Sequence, residues 1–472
     1  MNNSKEKVVW YKRFPHIYVI LLAIIFLSAI LTWIIPAGEF LRTDIPGTTR
    51  KVIVPNTYKI IESSGASLFD IFKAIPIGMR MSADIIFLIL ISSGTFKIIQ
   101  STGAIENALG VFLNKVNKIK NGGIITIWVT TFIFSSIGII VGPEIQIPFT
   151  LIGVSIALGL GYDLIVGLAM VMAAGGIGFA TAPINMSTIG TAGIIGGLPL
   201  FSGAGLRSVY WFVSTCVVAG YISWYAINIK KFPEKSLVKD VNLQDLTLNK
   251  KLSEYSISRK DIKVLMTLLG IFIMLIVGPL KFNWYLIEVS ATFLIGGIVA
   301  GFVGGYNINK TIDIFVKGAG EMMMAAFIVG LGRAIQVILE DGRIMDTIIH
   351  ILSEPLQRFG PISAGILMTF VHGVINIFIP SGSGQAAATM PIMFPLGDIL
   401  GMTRQTSILA FQIGDGITNI IYPTLGSVMA MCAIARVSFE KWVKFALKLV
   451  LLLYITGWIF LVIAIKINWG PF

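Results

Sequence analysis

Charge is what this chain has least of: only 13% of its 472 residues are Asp, Glu, Lys or Arg, while 55% are apolar. A soluble chain carries about 25% charged residues, because water must solvate its surface. A chain of this length that cannot cover itself with charge belongs in a bilayer. Cysteine is scarce as well. Cys216 and Cys432 lie inside apolar runs without metal-like spacing and read as small core residues. The three histidines, His16, His350 and His372, have no metal-type neighbours. An enzyme needs a nucleophile–base or metal constellation, so the chain reads as a non-enzyme without a cofactor. A cleavable leader is not expected either: Met1–Arg13 is too polar, and no small-residue cleavage site follows the first apolar run. The net charge of +12 does not require nucleic acid, since basic residues collect in the cytoplasmic loops of membrane proteins.

Apolar runs are what the chain has in abundance. A hydrocarbon core of ~30 Å needs about 20 residues per helix. Such runs lie near 17–37, 83–100, 163–182, 208–228, 264–280, 285–304, 318–339, 405–424 and 443–465, which predicts about nine transmembrane helices. Two further stretches, 122–160 and 361–397, are too long for one helix. Gly142-Pro143-Glu144 interrupts the first and Pro380-Ser381-Gly382-Ser383-Gly384 the second. Proline lacks an amide donor and glycine has no Cβ, so neither favours an unbroken helix there. Each stretch is two spans or a re-entrant hairpin, and breakers at mid-length favour the hairpin.

With two hairpins and a cytoplasmic N-terminus, basic residues on the inside outnumber those on the outside by roughly two to one, as the positive-inside rule requires. Arg207 and Arg343 fall among the outside charges, while Arg80, Lys97 and Arg333 stay near the membrane. Reading each stretch as one plain span would turn 229–263, with nine basic residues, outward. The expected organisation is therefore a first membrane half over 1–228, with hairpin 122–160 and broken helix 163–200. A cytoplasmic linker follows at 229–263. The second half, 264–472, carries hairpin 361–397 and broken helix 405–435. The expected location is the inner (plasma) membrane, multi-pass.

An internal repeat supports two halves. At an offset near 239, Ile98-Ile99 and Gly103 align with Val337-Ile338 and Gly342. Gly142-Pro143 falls opposite Pro380-Ser381, and at an offset of 240 Gly161, Gly176 and Pro183 fall on Gly401, Gly416 and Pro423. Span, broken stretch and interrupted helix thus recur in order. In the topology above the two copies run in opposite directions, an inverted-topology repeat. Transporters of that design hold solute near the midplane, between discontinuous helices.

Four clusters of polar backbone then meet in hydrocarbon, where irregular backbone survives only against protein or a water-filled cavity. Two are the hairpin tips at 142–146 and 380–385. Two are helix breaks: Thr181, Pro183, Asn185, Ser187 and Thr188 in the first half, and Gly414-Asp415-Gly416, Thr418, Asn419, Pro423 and Thr424 in the second. Exposed amides at tips and half-helix N-termini suit a carboxylate. Unwound carbonyls with hydroxyl and amide oxygens suit a hard cation such as Na⁺. Membrane carboxylates are costly, so Glu144 and Asp415 are candidates for a substrate cation, a coupling cation or a proton. Their structural alternatives are a shallow tip residue for Glu144 and a helix-break cap for Asp415. Ser381, Gly382, Ser383 and Gly384 bind carboxylate or merely let helices approach closely. Asn376 and His372 lie on the arm leading to the second tip, where His372 reads as a packing residue. Glu321, Arg333, Arg80 and Asp84 are intramembrane or terminal, and Arg80 and Asp84 have the spacing of a local helical pair.

At these residues the sequence resembles the YfcC family, in the dicarboxylate-carrier (DcuC-type) branch of the ion-transporter superfamily. The carrying motifs are Pro15-His16-Ile17-Tyr18 with Trp33 and Pro36-Ala37-Gly38-Glu39, then Gly178 through Asn185 to Gly197-Leu198-Pro199 and Gly203. In the second half they are Ile379 through Gly384, Met390-Pro391-Ile392-Met393 and Ala410 through Asn419. The resemblance implies an all-α polytopic inverted repeat with two re-entrant hairpins. It implies carriers of C4-dicarboxylates or arginine/ornithine exchangers, often working as dimers.

The functional expectation is a secondary transporter using alternating access, its small-molecule substrate held by Glu144, Asn185, Asn376, Ser381, Gly382, Ser383, Gly384, Asp415, Thr418 and Asn419. Pro143, Thr181, Asp415 and Thr424 are the candidate cation ligands, for Na⁺ or H⁺ as coupling ion. No Arg or Lys lies within the four clusters, and a pure dicarboxylate pocket should avoid a fixed carboxylate at its tip. That leans the expectation to basic amino acids, with C4-dicarboxylates second and a passive channel third.

Overall fold

The computed structural model describes residues 17–44, 51–63, 65–116, 118–140, 142–199, 202–241, 254–282 and 284–470. The N-terminal lysines, His16, and Lys250 and Lys251 of the expected linker lie outside the described residues, as does the side chain of Ser187.

The first half begins with α1 (Ile17–Ile34) and four short strands, β1 (Gly38–Glu39), β2 (Arg42–Asp44), β3 (Lys51–Ile53) and β4 (Lys59–Ile60). Then come α2 (Leu68–Met81), α3 (Ala83–Ser101), α4 (Ala104–Val116), α5 (Gly122–Ile140), α6 (Pro143–Gln146), α7 (Thr150–Gly159), α8 (Leu164–Ala180), α9 (Thr191–Ile195) and α10 (Ala204–Lys231). The second half comprises α11 (Arg259–Phe282), α12 (Leu286–Val303), α13 (Ile308–Glu321), α14 (Met323–Asp341), α15 (Met345–Ser353), α16 (Pro361–Phe378), α17 (Gly382–Ile399), α18 (Arg404–Thr418), α19 (Gly426–Ile434) and α20 (Phe439–Lys466). Strand β1 pairs antiparallel with β4, and β2 with β3.

Among the described residues seven helices are long and apolar enough to cross a membrane: α3, α5, α10, α11, α12, α16 and α20. An eighth crossing exists if α13 and α14, bent by 43° against each other, count as one. The spans expected at 163–182 and 405–424 become shorter helices, α8 with 17 residues and α18 with 15. Neither has to face lipid. Every residue of α8 is buried, and so is every residue of α18 from Gln405 onward. Helices α5, α7 and α10 pack on α8, helices α16, α17 and α20 pack on α18, and the two meet each other.

Two breaks differ from expectation. The run 318–339 is not one helix: Met322, at φ −102° and ψ 5°, separates α13 from α14. Ser82, at φ −105° and ψ 12°, separates α2 from α3 in the same way. That break falls between Arg80 and Asp84, and no ion pair joins them among the described residues. The second correction concerns Gly414-Asp415-Gly416, expected at a helix break. Helix α18 continues through them to Thr418 and gives way only at Asn419. The glycines serve approach rather than interruption, because Gly414 lies against the carbonyl of Thr369 and Gly416 against the backbone of Ala180. Asp415 is therefore an interior helix residue and not a cap.

Contacts between the halves are reciprocal at an offset of 240. Helix α2 lies along α14 and α13 along α3. A Cβ on Gly78 would stand 3.1 Å from the Cα of Ala334, and one on Gly318 would stand 3.1 Å from the Cα of Gly94. At the centre, a Cβ on Gly176 would stand 3.0 Å from Ile420, and Gly416 meets Ala180. Small residues at such crossings let helix backbones approach, which is how helices associate in lipid. Helices α5 and α7 both lie on α8, as α16 and α17 both lie on α18.

Candidate functional site

Two turns start the site. Gly142 is extended (φ −64°, ψ 162°) and opens the short α6, with Pro143 at its first position, where a missing amide hydrogen does no harm. In the second half Ile379 (φ −119°, ψ 75°) ends α16, and Ser381 (φ −146°, ψ 106°) caps α17. The Ser381 hydroxyl accepts the Gly384 amide at 3.4 Å. Both stretches thus break where Pro, Gly and Ser deny the helix its donor or its steric guide.

A cavity of about 470 Å³ lies between the two turns. Pro143, Glu144, Ser381, Gly382, Ser383, Asn419 and Thr424 border it, so seven of the residues singled out by the sequence share one space. Two ionisable groups that the four clusters did not contain join them. Asp84 enters from the first turn of α3 beside the Ser82 break, and Arg333 enters from the middle of α14. The cavity therefore holds two carboxylates and one guanidinium among the described residues. Arg333 Nε is buried without a hydrogen-bond partner among them. The absence of a cation from the clusters is a property of the clusters alone, because packing supplies one from a helix outside them.

Asn376, Asp415, Thr418, Asn185 and Thr181 do not border this space. Asn376 on α16 donates from Nδ2 to the Asp415 carbonyl at 2.8 Å, to Thr418 Oγ1 at 2.8 Å and to Asn419 Oδ1 at 2.7 Å. One amide nitrogen carries two hydrogens, so three acceptors share them. The two carboxylate oxygens of Asp415 and Oδ1 of Asn376 are buried without partners among the described residues. Gly382 separates Asp415 from the cavity: a Cβ there would lie 3.3 Å from Asp415 Oδ2 and 2.6 Å from Thr188 Cγ2. The second turn thus touches both broken helices. Asn185 ties its break to α5 by donating to the Ile139 carbonyl at 3.2 Å, and its Oδ1 accepts the Thr188 amide at 3.2 Å. The Thr181 hydroxyl donates to the Ile177 carbonyl of its own helix at 2.7 Å. Thr424 Oγ1 is buried without a partner among the described residues. Gly384 borders a different, outer space. His372 packs edge-on against Phe411 at 5.2 Å and Gln385 donates to its backbone carbonyl at 2.8 Å, but its ring Nε2 is buried without a partner among the described residues, so the satisfied packing role expected of it is not met.

Arg207 is the largest departure. Counted as an outside loop charge, it is fully buried in the first turn of α10. Its Nε donates to Gln412 Oε1 at 2.8 Å, its other nitrogens reach the carbonyls of Ser202 (2.9 Å) and Gln405 (3.5 Å), and its guanidinium lies over the Trp469 ring at 4.7 Å. Gln412 donates in turn to the Ala182 carbonyl at 3.0 Å. The chain of bonds runs from α10 through α18 to the break after α8. An available signal was a cation in the first helical turn, where the dipole disfavours it.

The C4-dicarboxylate anaerobic carrier (DcuC) family model matches residues 14–466. The chain belongs to the DcuC family. Like the carriers of that family it is a multi-pass membrane transporter. A curated relative in Escherichia coli (strain K12), named "Putative basic amino acid antiporter YfcC", is 30% identical over 93% of this chain and 94% of its own. An uncharacterized protein of Haemophilus influenzae is 27% identical over 99% of both chains. Among solved structures, this DcuC-family chain is similar to the YdaH transporter of Alcanivorax borkumensis, with 16% identity and a TM-score of 0.40 over 97% of this chain and 100% of that one. It is also similar to MtrF of Neisseria gonorrhoeae, with 16% identity and a TM-score of 0.44 over 95% of each chain.

Proposed function

We propose that this carrier is a secondary active antiporter, working by alternating access, that exchanges basic amino acids of the arginine/ornithine type. The observation that carries the reading is the charge set of the central cavity: Glu144 and Asp84 together with Arg333. A basic amino acid brings one carboxylate and two cations. Arg333, the Ser381 and Ser383 hydroxyls and the amides that begin α17 suit the carboxylate. Glu144 and Asp84 suit the two cations. A volume of about 470 Å³ lies within the range of small-molecule sites. The printed name of the Escherichia coli relative supports the same solute class.

A C4-dicarboxylate carrier coupled to Na⁺ or H⁺ is the second reading, and Arg333 is the observation that favours it. The two fixed carboxylates weigh against it, since each would repel the second carboxylate of such a solute.

In this reading the halves are inverted repeats with two re-entrant hairpins and about nine spans; the reciprocal contacts at an offset of 240 support the repeat alone. The linker and N-terminus face the cytoplasm, the protein resides in the inner membrane, and it works as a homodimer. Asp415, with Pro143, Thr181 and Thr424, serves the coupling ion.

Proteoliposomes loaded with unlabelled arginine and offered labelled arginine, ornithine, succinate or fumarate test the solute. One-for-one exchange of arginine or ornithine is expected. Movement of succinate or fumarate alone would transfer the reading to dicarboxylates. Downhill flux without a counter-solute would make the protein a channel.

A further inference from the structure

The strands after α1 build a fixed cap over the second turn. The Gly38 amide donates to the Arg343 carbonyl at 3.0 Å, and Thr347 Oγ1 donates to the Pro36 carbonyl at 2.8 Å. The Tyr58 ring stacks on His350 at 4.2 Å. These contacts fasten the segment to α15, and β3 comes to lie against α17. A separate cavity of about 340 Å³ lies beneath it, bordered by Arg42 and Ile53 of the strands and by Ser381, Ser383, Gly384 and Ala388 of α17 and its cap.

Arg42 is held in place. Its Nη2 donates to Asp346 Oδ1 at 2.7 Å and its Nη1 to the Phe40 carbonyl at 3.3 Å, while the Phe40 amide donates to Asp346 Oδ2 at 2.9 Å. The pair is lopsided: the Asp346 side chain is 6% exposed and that of Arg42 is 42% exposed. The carboxylate faces inward, and the guanidinium presents its remaining donors to the cavity. Ser381 and Ser383 border this outer chamber and the central cavity alike. One turn of chain is therefore the wall between a space containing Arg42 and a space containing Arg333.

We infer that the chamber under the β segment is an outer docking site for a carboxylate, with Arg42 as its anion-selecting residue. Solute held there lies against the Ser381–Ser383 wall, with Arg333 waiting behind it. The handover to Arg333 rests on the transport reading above, whereas the anion preference of the chamber does not.

Ala388→Cys places a thiol in the chamber of the full-length protein in proteoliposomes, and a chain without that substitution sets the background from Cys216 and Cys432. The probes are the anionic reagent sulfonatoethyl methanethiosulfonate and its cationic trimethylammonioethyl analogue. The readout is the ratio of their labelling rates. Combining Arg42→Gln with Asp346→Asn, which leaves no bare carboxylate, should lower the anion-to-cation ratio by about tenfold. Arg42→Lys should keep the ratio, and 1 M salt should bring the unmodified pair to the value of the neutral one. A purely structural role for Arg42 would change both rates together. An unchanged ratio in the neutral variant overturns the inference. Absence of arginine exchange would refute only the solute, because labelling reads the chamber whichever solute is carried.

Discussion

Gly78 rests on the backbone of α14: a Cβ there would stand 2.7 Å from the Ala334 nitrogen and 2.5 Å from the Gly330 carbonyl oxygen. No rotamer escapes such a contact, since the clash lies at Cβ itself. Gly78→Val should therefore force α2 away from α14 and lower stability by about 1–3 kcal/mol, the usual range for overpacking. Thermal unfolding in detergent measures it. A variant melting with the parent protein would show that α2 and α14 are not tightly docked.

Arg333 is the cation of the central cavity. Hydrogen bonds to charged groups contribute about 1.5–3 kcal/mol, which corresponds to about 10–100-fold in affinity. Arg333→Gln should raise the KM for exchange by that factor, and Arg333→Lys should recover part of it as a single point charge without the planar fork. Exchange kinetics at several external solute concentrations decide it. An unaltered KM would remove Arg333 from the binding site.

Both carboxylate oxygens of Asp415 are buried and unpartnered among the described residues. A neutral amide is less costly to bury than a bare carboxylate. Asp415→Asn is therefore expected to leave the melting temperature unchanged or raised while abolishing coupled transport. Full coupled transport by the variant would make the charge dispensable.

Arg207 and Gln412 share one hydrogen bond at 2.8 Å, so their effects should not add. A double-mutant cycle with Arg207→Met and Gln412→Leu should give a coupling free energy of about 1–2 kcal/mol in unfolding measurements. Strict additivity would mean that the contact contributes nothing to the folded state.

Some of this molecule was legible along the chain. Gly142-Pro143 and Pro380 through Gly384 marked both turns, because missing donors and missing Cβ atoms act where they stand. Glu144 and Ser381 through Ser383 were found by the same signal and do border the cavity. Gly414 and Gly416 misled for an instructive reason. Glycine serves interruption and close approach equally, and only the presence of Thr369 and Ala180 beside them shows which applies. Arg333 and Arg207 escaped because a lone cation in an apolar run looks the same at a helix end, in a loop or deep in the bundle.

The sequence by itself determined the solvent, most of the long apolar helices, the two turns at Gly142-Pro143 and Pro380 through Gly384, and the offset of 240 between the halves. These follow from composition, from the length of apolar runs and from local backbone chemistry, all of which act within a few residues. Only the tertiary structure decided which charges share a space. Asp84, Glu144 and Arg333 come from three helices, and their meeting depends on how each helix is rotated about its axis and where it crosses its neighbours. Packing sets those quantities, and the contacts responsible, such as Gly78 on Ala334, join residues more than two hundred positions apart.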